Sequence, residues 1–230
     1  MTELTTRRFG SRAALESTLA ERLAAALAGP AALMLAGGST PLPAYRALGA
    51  RPPLAHGADL RILFSDDRYV PSDSPASNYH QARPLLAALA LPPEAVLRVR
   101  SELPLEGAAR DYERQLDELL RSGTRIGLGL LGLGADGHTA SLFGAADLER
   151  ARGHLAIAVQ RPDGMSGVSV TPELLAHVAE PLFVVAGEDK RGAVAGLLAQ
   201  DPSLTAWRAV AGCRRVELWV DEAAAPPLAK

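Results

Sequence analysis

One cysteine in 230 residues settles two questions at once. Cys213 has no partner for a disulfide within the chain, and a cage of cysteine ligands around a metal is excluded. Long apolar runs are missing too. No stretch approaches the ~18 unbroken apolar residues that a membrane-spanning helix needs, so no membrane partner is expected. The opening "MTELTTRRFGSRAALES" has no apolar run behind its arginines and does not read as a secretory signal; a cytoplasmic location is the expectation. Neither charge is in excess. With 24 basic against 26 acidic side chains and a net charge of −2, nothing points to a nucleic-acid partner or an anionic surface. Lysine is scarce: only Lys190 and Lys230 stand among arginines. That bias fits a genomic coding preference, yet it leaves Lys190 as the one lysine inside the expected fold.

Apolar residues make up 48% of the chain, enough for a large core in one domain spanning 1–230. Leu15, Leu19, Leu23 and Leu27 recur every four residues and predict a helix. Ser11 is its expected N-cap, and Gly29-Pro30 its stop. Tyr112, Leu116, Leu119 and Leu120 predict a second helix over roughly 105–121, and "EDKRGAVAGLLA" (188–199) a third. Uniformly apolar runs at 31–36, 60–64, 125–132, 154–159, 167–170, 181–187 and 215–220 read as strands. Strands that alternate with helices and are apolar on both faces predict an α/β fold, a mainly parallel sheet covered by helices on both faces. In such sheets ligands bind beyond the carboxyl ends of the strands. Four polar loops fall there: "GGSTP", "SDDRYVP", "GLGADGHT" and "GEDK".

In "LAGGSTPLPAY", Thr40 is the expected N-cap, with Pro41 at the first helical position. Gly37 and Gly38 permit close backbone approach, and the N–H groups of the Gly37–Thr40 turn, Ser39 included, favour an anion such as phosphate. The same pattern fits a capped turn with no ligand. It is neither a Walker A loop nor a dinucleotide-binding GxGxxG. Asp66, Asp67 and Arg68 at a strand end read either as a solvated cluster or as site residues. In "LGLGADGHTASLF", His138 is expected just before a helix start, where the dipole favours a neutral ring able to act as a base. Asp136 would orient that ring or hold the loop. His56, His80, His154 and His177 read as structural. No G-x-S-x-G elbow is present, and no HxH or HExxH spacing supports a metal.

These four motifs, "LAGGSTPLPAY", "SDDRYVP…SNY", "LGLGADGHTASLF" and "GEDK", stand in one order over roughly residues 10–225. In them the chain resembles the 6-phosphogluconolactonases, a family within the superfamily that also holds glucosamine-6-phosphate deaminase. The resemblance implies a NagB-like fold and hydrolysis of 6-phospho-D-glucono-1,5-lactone to 6-phosphogluconate in the oxidative pentose phosphate pathway. It implies no metal or organic cofactor, and a small sugar-phosphate substrate as the partner of a monomer or small homo-oligomer. It gives His138 the role of general base and Arg68 that of holding substrate or the developing oxyanion. It sets Gly37, Gly38, Ser39, Thr40 and Lys190 at the sugar-phosphate site. Asp136 and Asp66 stand with His138 and Arg68 as the candidate catalytic residues.

Two departures stand out. Asp66-Asp67-Arg68 replaces the family's D-E-R. Gly167 stands where many members carry a phosphate-binding arginine, and Arg161 is the candidate to supply that charge from the preceding loop. The deaminase alternative would need a glutamate five residues after His138, where this chain has Phe143, and a tyrosine at Arg68. A non-catalytic sugar-phosphate sensor is the third reading, and rests on Gly167 alone.

Overall fold

The computed structural model describes residues 2–29 and 32–227. Pro30, Ala31 and Lys230, which the sequence reading used, lie outside the described residues. The first half runs β1 (Glu3–Phe9), α1 (Arg12–Leu27), β2 (Ala32–Leu35), α2 (Leu42–Gly49), β3 (Ile62–Phe64), β4 (Asp66–Arg68), α3 (Asn78–Leu89) and α4 (Leu105–Arg121). The second half runs β5 (Ile126–Leu131), α5 (Ala145–Arg150), β6 (Ala156–Gln160), β7 (Ser166–Val170), α6 (Pro172–Leu175), β8 (Val178–Val185), α7 (Arg191–Leu198), α8 (Thr205–Val210) and β9 (Arg215–Asp221).

Six strands form one parallel sheet in the order β1-β9-β8-β5-β2-β3. Strand side chains alternate between the faces, and here both faces are covered. Leu33 and Leu35 of β2 pack with Leu15, Leu19, Leu23 and Leu27 of α1. Met34, between them, packs with Tyr112 and Leu116 of α4 on the opposite side. This double burial is why β2 and β5 are apolar throughout, and β8 from Pro181 onward. Ser11 caps α1 as expected, its hydroxyl accepting from the Ala14 amide. The chain runs outward from β2 to β3, then returns to place β5 on the other side of β2. A crevice opens where strand order reverses in this way, between the loops that follow β2 and β5.

Two expectations are corrected, and one strand is added. The runs at 154–159 and 167–170 are strands, but they belong to a separate antiparallel sheet of order β4-β7-β6. Helix α4 packs on β6 and β7, so they too are mostly buried and mostly apolar, and composition alone does not separate them from parallel strands. "DDR" is not loop but strand β4. Ser65 alone separates it from β3, and its backbone serves both sheets, donating to Leu35 and accepting from Val170. The polar, mostly exposed β1, an edge strand paired to β9, carries no apolar signal and was not anticipated.

Helix α1 holds its face of the sheet through four leucines with no exposed surface. Leu19→Ala should lower the unfolding free energy by about 2–5 kcal/mol, the range for a buried leucine truncated to a cavity. Urea denaturation reads this directly, and a loss well under about 1 kcal/mol would contradict the packing described.

Candidate active site

A cleft of about 270 Å³ opens at the crevice, walled by residues of all four polar loops and by Arg161. Its first wall follows β2. Tyr45 of α2 reaches back to donate to the Ala36 carbonyl at 2.8 Å and pins the strand end. A Cβ on Gly37 would lie 1.8 Å from Oδ1 of Asn78, so the Asn78 carboxamide occupies the place of a side chain there. Gly38 has φ +103°, a left-handed conformation that favours glycine, and its amide donates to Gln81. Thr40 does not cap α2. Pro41 holds the cap position, with no side-chain bond, because the chain turns through Ser39 and Thr40 before the helix begins. Those two residues stand outside the cleft wall, and the Ser39 carbonyl accepts from Arg12 at 2.7 Å.

The second wall is β4, whose neighbouring carboxylates have separate partners. Asp67 is no solvated acid: it caps the start of α3, accepting from Asn78 N at 2.6 Å, the Ser77 hydroxyl at 3.0 Å and Tyr79 N at 3.1 Å. Asp66 is equally buried and accepts from Ser65 at 2.8 Å, Ser141 at 2.6 Å and Nδ2 of Asn78 at 3.3 Å. The same Nδ2 donates to the Asp66 carbonyl at 2.8 Å, while Oδ1 of Asn78 accepts from Nη1 of Arg68 at 2.6 Å. Nη1 also donates to the Ala76 carbonyl, and the buried Nε of Arg68 has no partner among the described residues.

The third wall follows β5, and here the helix-start expectation for His138 is overturned. The next helix, α5, begins only at Ala145; a tight turn, with Ala140 at φ 48°, comes first. His138 therefore does not open a helix of its own; the helix N-terminus that reaches this loop is that of α8, whose Ala206 amide donates to the Gly137 carbonyl at 2.8 Å. The ring is held by two side chains instead. Nδ1 lies 2.5 Å from Oδ1 of Asp136, and the Phe143 ring packs with its centroid 4.5 Å away. Burial raises the Asp136 carboxyl, but the hydrogen bond and charge of His138 outweigh it and hold it below the usual carboxylate range. As an ionised acceptor, Asp136 requires the proton on Nδ1, which leaves Nε2 of the neutral ring as a lone pair. Gly134 is needed beneath, since a Cβ there would fall 2.1 Å from Nδ1 of His138.

The remaining wall is cationic. Lys190, on the turn after β8, lines the cleft 3.3 Å from Asp189. Arg161 follows β6 and lines it from the other side. Its stem runs beside Gly167, whose added Cβ would meet Cδ of Arg161 at 3.5 Å and the Asp67 carbonyl at 3.0 Å. Of the expected residues, the cleft therefore gathers Gly37, Gly38, Asp66, Arg68, His138, Arg161 and Lys190, with Asp136 directly behind His138. His56, His80, His154 and His177 are not on its wall. Asn78, Ser141 and Phe143 were not singled out as site residues. Their only sequence signal is membership of the "SNY" and "DGHTASLF" stretches. Among the described residues, no three His, Cys, Asp or Glu side chains group as metal ligands, and no helix is long and apolar enough to cross a membrane.

Comparison with known proteins fits this arrangement. The sequence model described as glucosamine-6-phosphate isomerases/6-phosphogluconolactonase matches residues 10–219. The chain belongs to that family. It is 35% identical over 178 residues to the 6-phosphogluconolactonase of Treponema pallidum, covering 74% of this chain and 73% of that one. It is 34% identical over 198 residues to the human 6-phosphogluconolactonase, covering 81% and 76%. The crystal structure of 6-phosphogluconolactonase from Thermotoga maritima superposes with a TM-score of 0.76 at 29% identity, covering 96% of this chain and all of that one. The NagB-like fold expected from the motifs is thus the fold observed.

Burial pushes the Asp67 carboxyl up from 3.8 to about 6, against the pull of its three donors. The folded protein therefore holds a proton that the unfolded chain releases near pH 4. The stability this contributes is fully present below that pH and is lost as pH rises through 6. Asp67→Asn mimics the protonated form and lacks the titration. The stability of wild type relative to Asp67→Asn should fall by up to about 3 kcal/mol between pH 4 and 7. Urea denaturation across that range measures it, and a constant difference would show that Asp67 does not titrate there.

Proposed function

We propose that this protein, as a single domain over 1–230, hydrolyses 6-phospho-D-glucono-1,5-lactone to 6-phosphogluconate. The observation that carries the reading is the Asp136–His138 pair opening onto a cleft with three cationic side chains, in a chain whose relatives bear that activity in their names. Nε2 of His138 takes a proton from water as the water oxygen attacks the lactone carbonyl carbon. Asp136 stabilises the imidazolium that forms. Arg68 or nearby backbone N–H groups stabilise the oxyanion. Collapse breaks the bond to the ring oxygen, which takes the proton back from His138. No covalent enzyme intermediate is needed, because a lactone carbonyl is already electrophilic. Arg161 and Lys190 bind the phosphate, which carries about two negative charges. Asp66, with its oxygens engaged by neighbours, organises the site rather than moving protons.

Phe143 favours hydrolysis over the deaminase reading. An apolar ring lies against His138 where that chemistry would need a carboxylate, and the next acid, Asp147, accepts from the Phe143 amide instead. The sensor reading loses its support as well, since Arg161 lies beside Gly167 and brings the charge that position lacks.

The test is lactone hydrolysis with the spontaneous reaction subtracted. His138→Ala should lower kcat by about 10²–10⁴-fold, the usual contribution of a general base, with little change in KM. Activity within a few-fold of wild type would remove His138 from the mechanism. Lys190→Ala and Arg161→Ala should each raise KM for the phosphorylated lactone, by an energy of roughly 1.5–3 kcal/mol for a charge-assisted hydrogen bond. Their effect on unphosphorylated gluconolactone should be much smaller. Equal effects on both lactones would place the phosphate elsewhere.

A further inference from the structure

We propose that Ser141 is a positioning residue for the cleft, a hydroxyl spacer that fixes Arg161 at the wall while keeping it off the Asp66 carboxylate. The proposal rests on the reading of Arg161 as a phosphate ligand and adds what holds it there. Ser141 has no exposed surface. Its hydroxyl accepts from Nη1 of Arg161 at 2.8 Å and lies 2.6 Å from Oδ2 of Asp66. A guanidinium can only donate, so the one hydroxyl proton of Ser141 points to Asp66. The polarity of the chain from Arg161 through Ser141 to Asp66 is therefore fixed. The serine itself is held from behind, its amide donating to the Ser169 hydroxyl at 3.1 Å.

The remaining contacts of Arg161 show what this placement leaves available. Nε and Nη2 both donate to Oδ2 of Asp163 at 3.1 Å. The guanidinium carbon stands 5.3 Å from the centroid of the Phe143 ring, the same ring that packs on His138. Three of the five N–H groups are thus used within the protein. One on each terminal nitrogen remains, and such a fork matches two oxygens of a phosphate. The side chain is only 11% exposed, so in this partly desolvated place its partners decide where it points.

Without the Ser141 hydroxyl, the guanidinium and Asp66 lose the one group that bonds to both of them. A direct ion pair there, added to the one Arg161 already makes with Asp163, would consume the N–H groups of the fork. Ser141 also follows His138 by three residues in the same tight turn. One turn therefore carries the base and, through Ser141 and Phe143, the support of the cation across the cleft. A substrate that bridges the two is measured by the span of that turn.

The experiment is a double-mutant cycle on Ser141 and Arg161, assayed with 6-phosphogluconolactone and with gluconolactone. Ser141→Ala should raise KM for the phosphorylated lactone about tenfold and lower the preference for it over gluconolactone by a similar factor. That penalty should vanish in the Arg161→Ala background, since there is no guanidinium left to position. Ser141→Cys fills the same space with a weak donor and acceptor, and should resemble Ser141→Ala in KM if the hydroxyl matters. Slowing of both lactones alike, a full penalty added on top of Arg161→Ala, or a Ser141→Cys variant with wild-type KM would each overturn the proposal. Binding of inorganic phosphate by calorimetry separates this inference from the proposed reaction. If wild type accelerates neither lactone, the reaction is wrong. Weaker phosphate binding by Ser141→Ala than by wild type would still support the role of Ser141, and equal binding would refute it.

Discussion

The site is organised by one buried carboxylate. Asp66 lies at the junction where the chain leaves the parallel sheet for the antiparallel one, and an acid buried there is tolerable only if its oxygens are met. Its three partners come from three places: Ser65 from the junction, Asn78 from the start of α3, and Ser141 from the His138 turn. Two of them pass the constraint on. Asn78 holds Arg68 and fills the space beside Gly37; Ser141 holds Arg161. Segments far apart in sequence thereby share one reference point, and the cleft forms between them.

The glycines follow from this crowding. Gly37 leaves room for Asn78, and Gly134 leaves room for the imidazole and its aspartate. In both places a side chain of functional weight rests directly on backbone, which limits how far it can shift. Preorganisation of this kind suits a reaction in which water, base and carbonyl must meet without a covalent intermediate to hold them. The two carboxylates of β4 divide the labour. Asp67 secures α3, and Asp66 secures the cleft.

Much of the fold was legible where one physical rule dominated. Leucines every four residues fixed the first helix, and the aromatic-leucine spacing from Tyr112 fixed α4 to its ends. The convergence of four loops followed from strand polarity in a parallel sheet. What was not legible depended on partners distant in sequence. β6 and β7 read as strands of the main sheet because burial, not strand direction, sets their composition. "DDR" read as loop because acids suggest water, whereas hydrogen bonds bury both. His138 read as preceding a helix start because the apolar strand before it breaks into glycines, yet Thr139 turns back to the Gly132 carbonyl and the chain bends before α5. Asn78 and Ser141 carry no signal of their own beyond the "SNY" and "DGHTASLF" stretches they belong to. A small polar residue looks alike on a surface and at the centre of a network.

Asp66→Asn probes the central claim most directly. Asparagine keeps the shape but presents an NH₂ where one carboxylate oxygen accepted, so either the Ser141 hydroxyl, or the Ser65 hydroxyl together with the Asn78 amide, loses its acceptor. With folding verified by circular dichroism, lactone turnover by this variant is the measurement. The account predicts a folded protein whose kcat/KM for the phosphorylated lactone is lower by at least about tenfold, the scale of a lost hydrogen bond to a charged group. A folded Asp66→Asn variant with wild-type turnover would contradict it.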